Sequence, residues 1–211
     1  MKQPHPYHHG NLKEALLEAA LQHIDTAGPG GITLREVARR AGVSHNAPYR
    51  HFADKDELLA AVAAQGFERL TAAMNAEAAA AGTAADRLRL TGRGYVGFAL
   101  EYRKHFSVMF DRPPSVHSYA EYSAAAKRAF EVLMDAIKAC QDAGELPAGD
   151  PAPFAFTAWS LVHGIAKLAI AGQLPFRTTA DVLVFTDRAT QGLLEGILKK
   201  PASPRGRRLK S

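Results

Sequence analysis

The sequence has few of the features that mark several large classes of protein. Cysteine occurs once among 211 residues, at Cys140, which excludes an internal disulfide and hence a secreted disulfide scaffold. Glycine and proline number 17 and 12, and hydrophobic residues make up 47%, so collagen-like and wholly disordered chains are excluded. The first ten residues, MKQPHPYHHG, contain no apolar segment typical of a secretory signal. We expect a cytoplasmic protein that builds a proper hydrophobic core.

Long hydrophobic runs are scarce too, and none predicts a membrane span. The best candidate, Phe154 to Gly172, carries His163 and Lys167 near its middle, where a charge would be costly in lipid. No window of five or more residues alternates between apolar and polar in the way a β-strand does. These absences favour an all-α chain.

Excess positive charge is confined to the C-terminus. The net charge is +5, and six cations with no acid after them lie in the last thirteen residues: Lys199, Lys200, Arg205, Arg207, Arg208 and Lys210. Without them the rest of the chain carries −1, so the basic balance alone says nothing about whether the folded part binds nucleic acid. Residues 201–211 are expected to form a basic, mobile tail that serves either as a nonspecific nucleic-acid arm or as a solubilising end.

Apolar residues at three- and four-residue steps predict an all-α fold of about nine helices. The boundaries that the sequence allows us to place are 11–27, 33–41, 44–51, 54–81, 84–103, 115 or 116–143, 151–171 and 178 or 179–200. Thr33 with Glu36, and Asp54 with Glu57, form the pattern of a capping box, in which both side chains bind free backbone amides. A compact N-terminal unit therefore precedes a larger body rich in alanine and aromatic residues.

Residues 33–51 have the pattern of a helix-turn-helix, in which the second helix enters the major groove of DNA. Val37 and Ala38 are predicted to point inward, Val43 to fill the turn and Phe52 to close the second helix on the core. The outer end of that helix, which meets base edges in this motif, comprises Ser44, His45, Asn46 and Ala47. Three further side chains are placed to bind phosphates: Tyr49, His51 and Lys55.

The stretch LREVARRAGVSHNAPYRHFADKDELLAAV resembles the tetracycline-repressor (TetR) family of transcriptional regulators. The resemblance lies in the turn at Ala41 to Ser44, the Tyr-x-His-Phe ending at Tyr49 to Phe52 and the helix start at Asp54 to Leu59. Tyr7 to Leu21 resembles the leading helix of one branch. WSLVHG at 159–164 and GYVGFALE at 94–101 resemble that branch's WHG-type C-terminal domain.

The resemblance implies a role for each matching position. Arg35, His45, Asn46 and Ala47 would face bases, while Thr33, Tyr49, His51 and Lys55 would hold the DNA backbone. The chain departs from the family at Asn46-Ala47-Pro48, where many members have Gly or Lys, then Thr, then Leu. Pro48 removes at most one helical hydrogen bond but disfavours a helical Ala47, so an operator sequence cannot be transferred. The implied domains are 1–54 for DNA binding and 55–200 for effector binding and dimerisation.

Aromatic residues recur through the larger body, either as core or as the walls of a ligand cavity between helices. The resemblance raises the second interpretation, with the tyrosine hydroxyls and His163 as the polar groups. The candidate effector-binding residues are Tyr95, Phe98, Tyr102, Phe106, Met109, Phe110, Tyr122, Trp159 and His163.

Three other motifs can be explained either by a functional role or by an ordinary structural one. Gly92 to Gly97 matches GxGxxG, but it follows a helical segment rather than a strand, which favours close helix packing over a dinucleotide site. His5, His8 and His9 could bind a metal or form a solvated arm near DNA. Cys140 could be a redox sensor or a buried, inert thiol. We expect no metal and no cofactor.

A single small helix-turn-helix makes few phosphate contacts, so a homodimer that reads two half-sites of a palindromic operator is expected. The last two helices carry the apolar faces that the resemblance assigns to a dimerising four-helix bundle: Leu161, Ile165, Leu168, Val182, Phe185, Leu193, Leu194 and Ile197. The predicted protein is a repressor released from DNA by a small, largely apolar effector. The alternatives are a ligand-independent activator or architectural protein, and a small helical enzyme, although no paired carboxylates or activated nucleophile occur at a workable spacing.

Overall fold

The computed structural model describes residues 12–27, 31–111 and 119–198, without the side chains of 25–27, 197 and 198. It contains α1 (Leu12–Ala27), α2 (Leu34–Arg40), a 3-10 turn (Pro48–Arg50), α3 (Lys55–Ala78), α4 (Ala84–Glu101), α5 (Arg103–Phe110), α6 (Ala120–Asp142), α7 (Ala152–Ile170) and α8 (Thr179–Leu198). Every regular element in these ranges is helical, which confirms the all-α prediction. The count is eight α-helices and one 3-10 turn there, against about nine predicted.

Side-chain oxygens start several of these helices where the sequence predicts it. The Thr33 hydroxyl accepts a hydrogen bond from the Glu36 amide, and the Asp54 carboxylate accepts from the amides of Asp56 and Glu57. The first capping box is only half formed, because the Glu36 carboxylate binds the Arg39 guanidinium and not a backbone amide at the helix start. Each cap satisfies amides that the first turn of a helix leaves free.

One predicted helix is divided in the structure. The sequence predicts a single helix over residues 84–103, but α4 ends at Glu101 and α5 begins at Arg103. Tyr102, between them, has φ −109° and ψ 47°, outside the helical region. Its ring stacks on Phe98 at 5.4 Å between centroids and lies under the Arg69 guanidinium at 5.1 Å. No glycine or proline marks this break, so packing against other helices decides it.

The core is built around α3 and α4. The first packs against α4, α5 and α6, and the second also packs against α7 and α8. Their backbones approach closely at Gly94, where a Cβ atom would lie 2.7 Å from the Ala73 carbonyl oxygen. The GxGxxG stretch at 92–97 lies wholly within α4, in agreement with the packing interpretation and not with a phosphate-binding loop.

The other expectations have mixed outcomes. Cys140 is fully buried and burial raises the pKa of its thiol to about 11, as expected for an inert residue.

Among the described helices, α7 alone is long and apolar enough to cross a membrane by length and composition, yet it packs on α4, α6 and α8. His5, His8, His9, Tyr7 to Gly10, the predicted helix start at 115 or 116 and the basic tail lie outside the described residues. The predicted domain division also stays a prediction.

Candidate DNA-reading surface and effector cavity

The helix-turn-helix is held together by a small buried face. Val37 and Ala38 on α2 have no solvent exposure, and Phe52 is almost fully buried. Gly42 makes the turn with φ +69°, a left-handed conformation that glycine adopts without strain. The next amide, of Val43, then donates to the Ala38 carbonyl oxygen over 3.0 Å. This core presents the segment after the turn to solvent.

The second helix of the motif is shorter and tighter than predicted. Residues 44–51 were expected to form a helix, but the structure has a turn followed by the 3-10 turn Pro48–Arg50. The reason is that Pro48 has no N–H to donate to the Ser44 carbonyl, which accepts instead from the Ala47 amide over 2.9 Å. Ala47 itself keeps helical angles, φ −61° and ψ −42°, although proline follows it.

The side chains predicted to contact DNA form an exposed surface, which we call the reading surface. Ala47 is half-buried and the other eight are exposed: Thr33, Arg35, Ser44, His45, Asn46, Tyr49, His51 and Lys55. Tyr49 is 57% exposed, the largest value among the big hydrophobic side chains that the structure describes. Pro48 and Phe52 are buried beneath it and fix the position of the segment.

The reading surface also carries a cation that sequence reasoning missed. Arg50 is exposed between Tyr49 and His51 in the same 3-10 turn, and its place between two predicted phosphate contacts is the signal that could have found it. Nearby, Arg39 is committed to Glu36 over 2.6 Å, and this hydrogen bond lowers the pKa of Glu36 to about 2. The Glu36 carboxylate is therefore ionised at neutral pH, and its charge is paired with that of Arg39.

A cavity of about 300 Å³ lies in the larger body, between α3, α4, α5, α6 and α7. Five predicted effector residues line it: Tyr95, Met109, Phe110, Tyr122 and Trp159. The other four are Phe98, Tyr102, Phe106 and His163, and they lie outside its lining, with Phe98 and Phe106 fully buried in the core. The structure thus brings together about half of the predicted set, and a binding role for any of them stays a prediction.

His163 touches the cavity wall through a hydrogen-bonded chain. The Tyr95 hydroxyl lies 2.8 Å from His163 Nδ1 and accepts from Trp159 Nε1 over 3.3 Å. Burial lowers the pKa of His163 and raises the pKa of Tyr95, so both are uncharged at neutral pH. The Tyr95 hydroxyl thus accepts from the indole and is also hydrogen-bonded to the imidazole.

Seven cavity residues were missed because nothing in their spacing separates a cavity wall from solid core. They occur at three- and four-residue steps on two helices: Phe67, Leu70 and Met74 on α3, and Ala126, Ala129, Phe130 and Leu133 on α6. Such a stripe predicts only that one helix face is buried. The space between the two stripes depends on how far apart the helices are held.

Exposed hydrophobic side chains concentrate on the last two helices. Four that are 36–53% exposed define what we call the α7–α8 face: Phe156, Leu168, Val184 and Phe185. Of the predicted dimer residues, Leu168 and Phe185 belong to it. Others point inward, with Ile165, Val182 and Leu194 buried and Leu161 and Leu193 half-buried, and the Ile197 side chain lies outside the described part. Exposed apolar residues concentrated on two neighbouring helices are typical of an interface.

Two family models match the chain. Residues 16–62 match the model "Bacterial regulatory proteins, tetR family", and residues 88–193 match the model "Tetracyclin repressor-like, C-terminal domain". Over 66 residues the chain is 36% identical to an HTH-type transcriptional repressor of Mycobacterium tuberculosis. That match covers 31% of this chain and about a third, 35%, of the length of the curated relative.

Solved structures resemble most of the chain. A Rhodococcus sp. RHA1 protein of unknown function is 33% identical with a TM-score of 0.78, covering 92% of this chain and 99% of that one. A tetR-family regulatory protein from the same organism is 24% identical, with a TM-score of 0.68 and coverages of 88% and 96%. The transcriptional regulator FadR of Bacillus subtilis, solved with stearoyl-CoA, has the same fold at 15% identity, with a TM-score of 0.72 and coverages of 87% and 98%.

Proposed function

This chain belongs to the TetR family of bacterial regulatory proteins, and from that premise we propose that it is a homodimeric, cytoplasmic repressor that a small apolar effector releases from its operator. Residues 1–54 are assigned to DNA binding, 55–200 to effector binding and dimerisation, and 201–211 to a basic tail. The match of residues 16–62 to the model "Bacterial regulatory proteins, tetR family" supports the DNA-binding part of the proposal.

The exposure of the reading surface is the observation that carries the proposal. Its eight exposed side chains surround a segment that is anchored from below by Pro48 and Phe52. Asn46 can form paired hydrogen bonds with adenine, and His45 can donate or accept. Among the described ion pairs, none involves Arg35, Arg50 or Lys55, so these cations are available to phosphates.

A dimer follows from the small size of each reading surface. Two such surfaces on one frame could read half-sites about one helical turn of DNA apart, roughly 34–36 Å. The α7–α8 face supplies exposed apolar side chains for the contact. Gly164 on α7 and Gly192 on α8 have open space around their Cα atoms, which would let a second subunit approach closely.

Two helices connect the cavity with the reading surface. Helix α3 begins at Lys55, and Phe67 lines the cavity twelve residues later, about 18 Å along the helix axis. Helix α6 lines the cavity with Tyr122, and the adjacent Glu121 lies 3.6 Å from Lys13 on α1. An effector that moves either helix would change the separation of the two reading surfaces, with a coupling free energy of typically about 1–3 kcal/mol.

The cavity favours a ligand-responsive regulator over a ligand-independent one. A regulator without an effector needs no space in its body, whereas about 300 Å³ is open here. Bacillus subtilis FadR, a fold relative, was solved with stearoyl-CoA, which also supports a ligand-responsive regulator.

Binding of the purified dimer to the DNA that flanks its own gene tests the proposal. Fluorescence anisotropy at about 100 mM salt should give specific affinity in the nanomolar range or below. Because the dimer would lose two base contacts of about 1–3 kcal/mol each, Asn46→Ala should weaken binding to the specific site by about thirtyfold or more and relax its specificity. Lys127→Ala is the matched control, because it truncates an exposed side chain on α6, away from the reading surface. Equal affinity of all three proteins for flanking and random DNA would contradict the proposal.

A further inference from the structure

The cavity is bounded by side chains that carry no formal charge at neutral pH. Its twelve lining residues are all apolar or aromatic. Six are aromatic, and they come from five helices: Phe67, Tyr95, Phe110, Tyr122, Phe130 and Trp159. A ligand inside would therefore meet ring faces, ring edges and methyl groups along the cavity wall.

The charged side chains near the cavity form ion pairs with residues outside its lining. Lys167 on α7 forms an ion pair with Asp111 and lies 5.5 Å from the Phe106 ring, outside the lining. On the outer sides of α6 and α3, Arg128 and Glu68 pair over 3.5 Å with more than half of each side chain exposed. A carboxylate, phosphate or ammonium group placed in the cavity would find no opposite charge. Burying it unpaired would cost several kcal/mol or more.

The polar atoms of the cavity wall are few, and they differ in availability. The Tyr95 hydroxyl is already bonded to His163 and Trp159. The Tyr122 ring packs against Phe67 with centroids 5.8 Å apart, and the residue is 3% exposed. Within residues 12–27, 31–111 and 119–198, no hydrogen bond involves the Tyr122 hydroxyl. The Tyr122 oxygen keeps some access from solvent, so a ligand oxygen can replace water there and form a hydrogen bond with it.

The size of the cavity limits the size of the ligand. An engineered apolar cavity of about 150 Å³ binds benzene, so about twice that volume holds roughly twelve non-hydrogen atoms. We infer that the cavity binds an uncharged, mainly hydrocarbon molecule of two-ring size, whose single hydroxyl or carbonyl oxygen meets the Tyr122 hydroxyl. The inference rests on the proposed function only in naming this molecule an effector.

Three probes of matched size test the inference by isothermal titration calorimetry on the full-length protein. The probes are 2-naphthol, 2-naphthoate and naphthalene, of which only 2-naphthoate is charged at neutral pH. We expect 2-naphthol to bind at least about tenfold more tightly than 2-naphthoate, because the cavity offers the carboxylate no cation.

Two variants on α6 locate the bound probe. Ala129→Leu fills part of the cavity and should weaken 2-naphthol binding by about tenfold or more. Ala124→Leu, the same substitution on the exposed side of α6, should leave binding unchanged. Tyr122→Phe should weaken 2-naphthol by about two- to tenfold, the value of one hydrogen bond, and leave naphthalene unaffected.

The possible results separate this inference from the proposed function. The inference is overturned if 2-naphthoate binds as tightly as 2-naphthol, if 2-naphthol does not bind, or if Ala129→Leu and Ala124→Leu have equal effects. DNA binding by the same preparations without probe tests the regulatory function separately. If the protein binds 2-naphthol as expected but does not bind the flanking DNA, the inferred ligand class is supported and the proposed regulatory function is contradicted.

Discussion

Replacing Lys55 by alanine should change the salt dependence of operator binding in a way that can be calculated. Lys55 is the first residue of α3 and is exposed beside Tyr49 and His51 on the reading surface. The Asp54 carboxylate caps α3 through the backbone amides of Asp56 and Glu57, which the substitution leaves in place. Removing a cation from a helix N-terminus is also mildly favourable to the helix dipole. The fold of Lys55→Ala should therefore be intact.

The magnitude follows from counting phosphates. Each phosphate neutralised on duplex DNA contributes about −0.9 to the slope of log K against log salt concentration, and a dimer has two copies of Lys55. The slope for Lys55→Ala should be smaller in magnitude by about 1.8 than that of the wild type. Between about 50 and 200 mM salt, the affinity gap between the two proteins should then narrow by roughly twelvefold. Anisotropy titrations at four or five salt concentrations measure both slopes.

The control for this prediction is Lys127→Ala, which removes one cation from the exposed side of α6 and should keep the wild-type slope. A variant that merely loses structure would lose affinity by the same factor at every salt concentration. If Lys55→Ala has the wild-type slope, Lys55 binds no phosphate and the orientation assigned to the reading surface is incorrect.

Three further predictions concern packing, protonation and assembly. Gly94→Ala should lower the free energy of unfolding by about 1–3 kcal/mol, because the new methyl group would overlap the α3 backbone. Gly97→Ala on the same helix has room and should stabilise by about 0.5–1 kcal/mol, and urea unfolding compares the two. Burial lowers the pKa of His105 to about 4, below its unfolded value near 6.5. The unfolded chain takes up the proton first, so stability should fall by about 2–3 kcal/mol as pH decreases through that window. In urea unfolding at several pH values, His105→Gln should no longer show this loss of stability at low pH. If its free energy of unfolding depends on pH as that of the wild type does, the prediction is wrong. Phe185→Lys on the α7–α8 face should dissociate the dimer in light scattering, whereas Ala124→Lys on α6 should not.

The N-terminal unit was the most predictable part of the molecule because its signals are local. Thr33 and Asp54 cap helices within three residues of themselves, and Gly42 makes a turn that suits glycine's conformational freedom. The type of the second helix was predicted wrongly, and this error also has a local cause, in Pro48. Its missing N–H was recognised from the sequence, but the resulting 3-10 turn was not anticipated.

The aromatic body was predicted less completely. Trp159 and Tyr95 were identified as candidate cavity residues, and the structure places both in the lining. His163 was a candidate polar group for a ligand, with a core role as the alternative; its Nδ1 atom is bonded to the Tyr95 hydroxyl, and contact with a ligand stays a prediction. The break at Tyr102 could not be predicted, because the ring of Phe98 and the guanidinium of Arg69 that surround it come from two different helices.

The sequence alone determined the helical class, the caps, the exposed reading segment and the family. These depend on residues within one or two turns of each other, where hydrogen bonds and side-chain spacing act directly. Only the tertiary structure decided that α3 and α6 stand far enough apart to leave an open space, and that it carries no charge and one unpaired tyrosine hydroxyl. That separation depends on how several helices pack against one another, including α4 against α3 at Gly94, so no single segment encodes it.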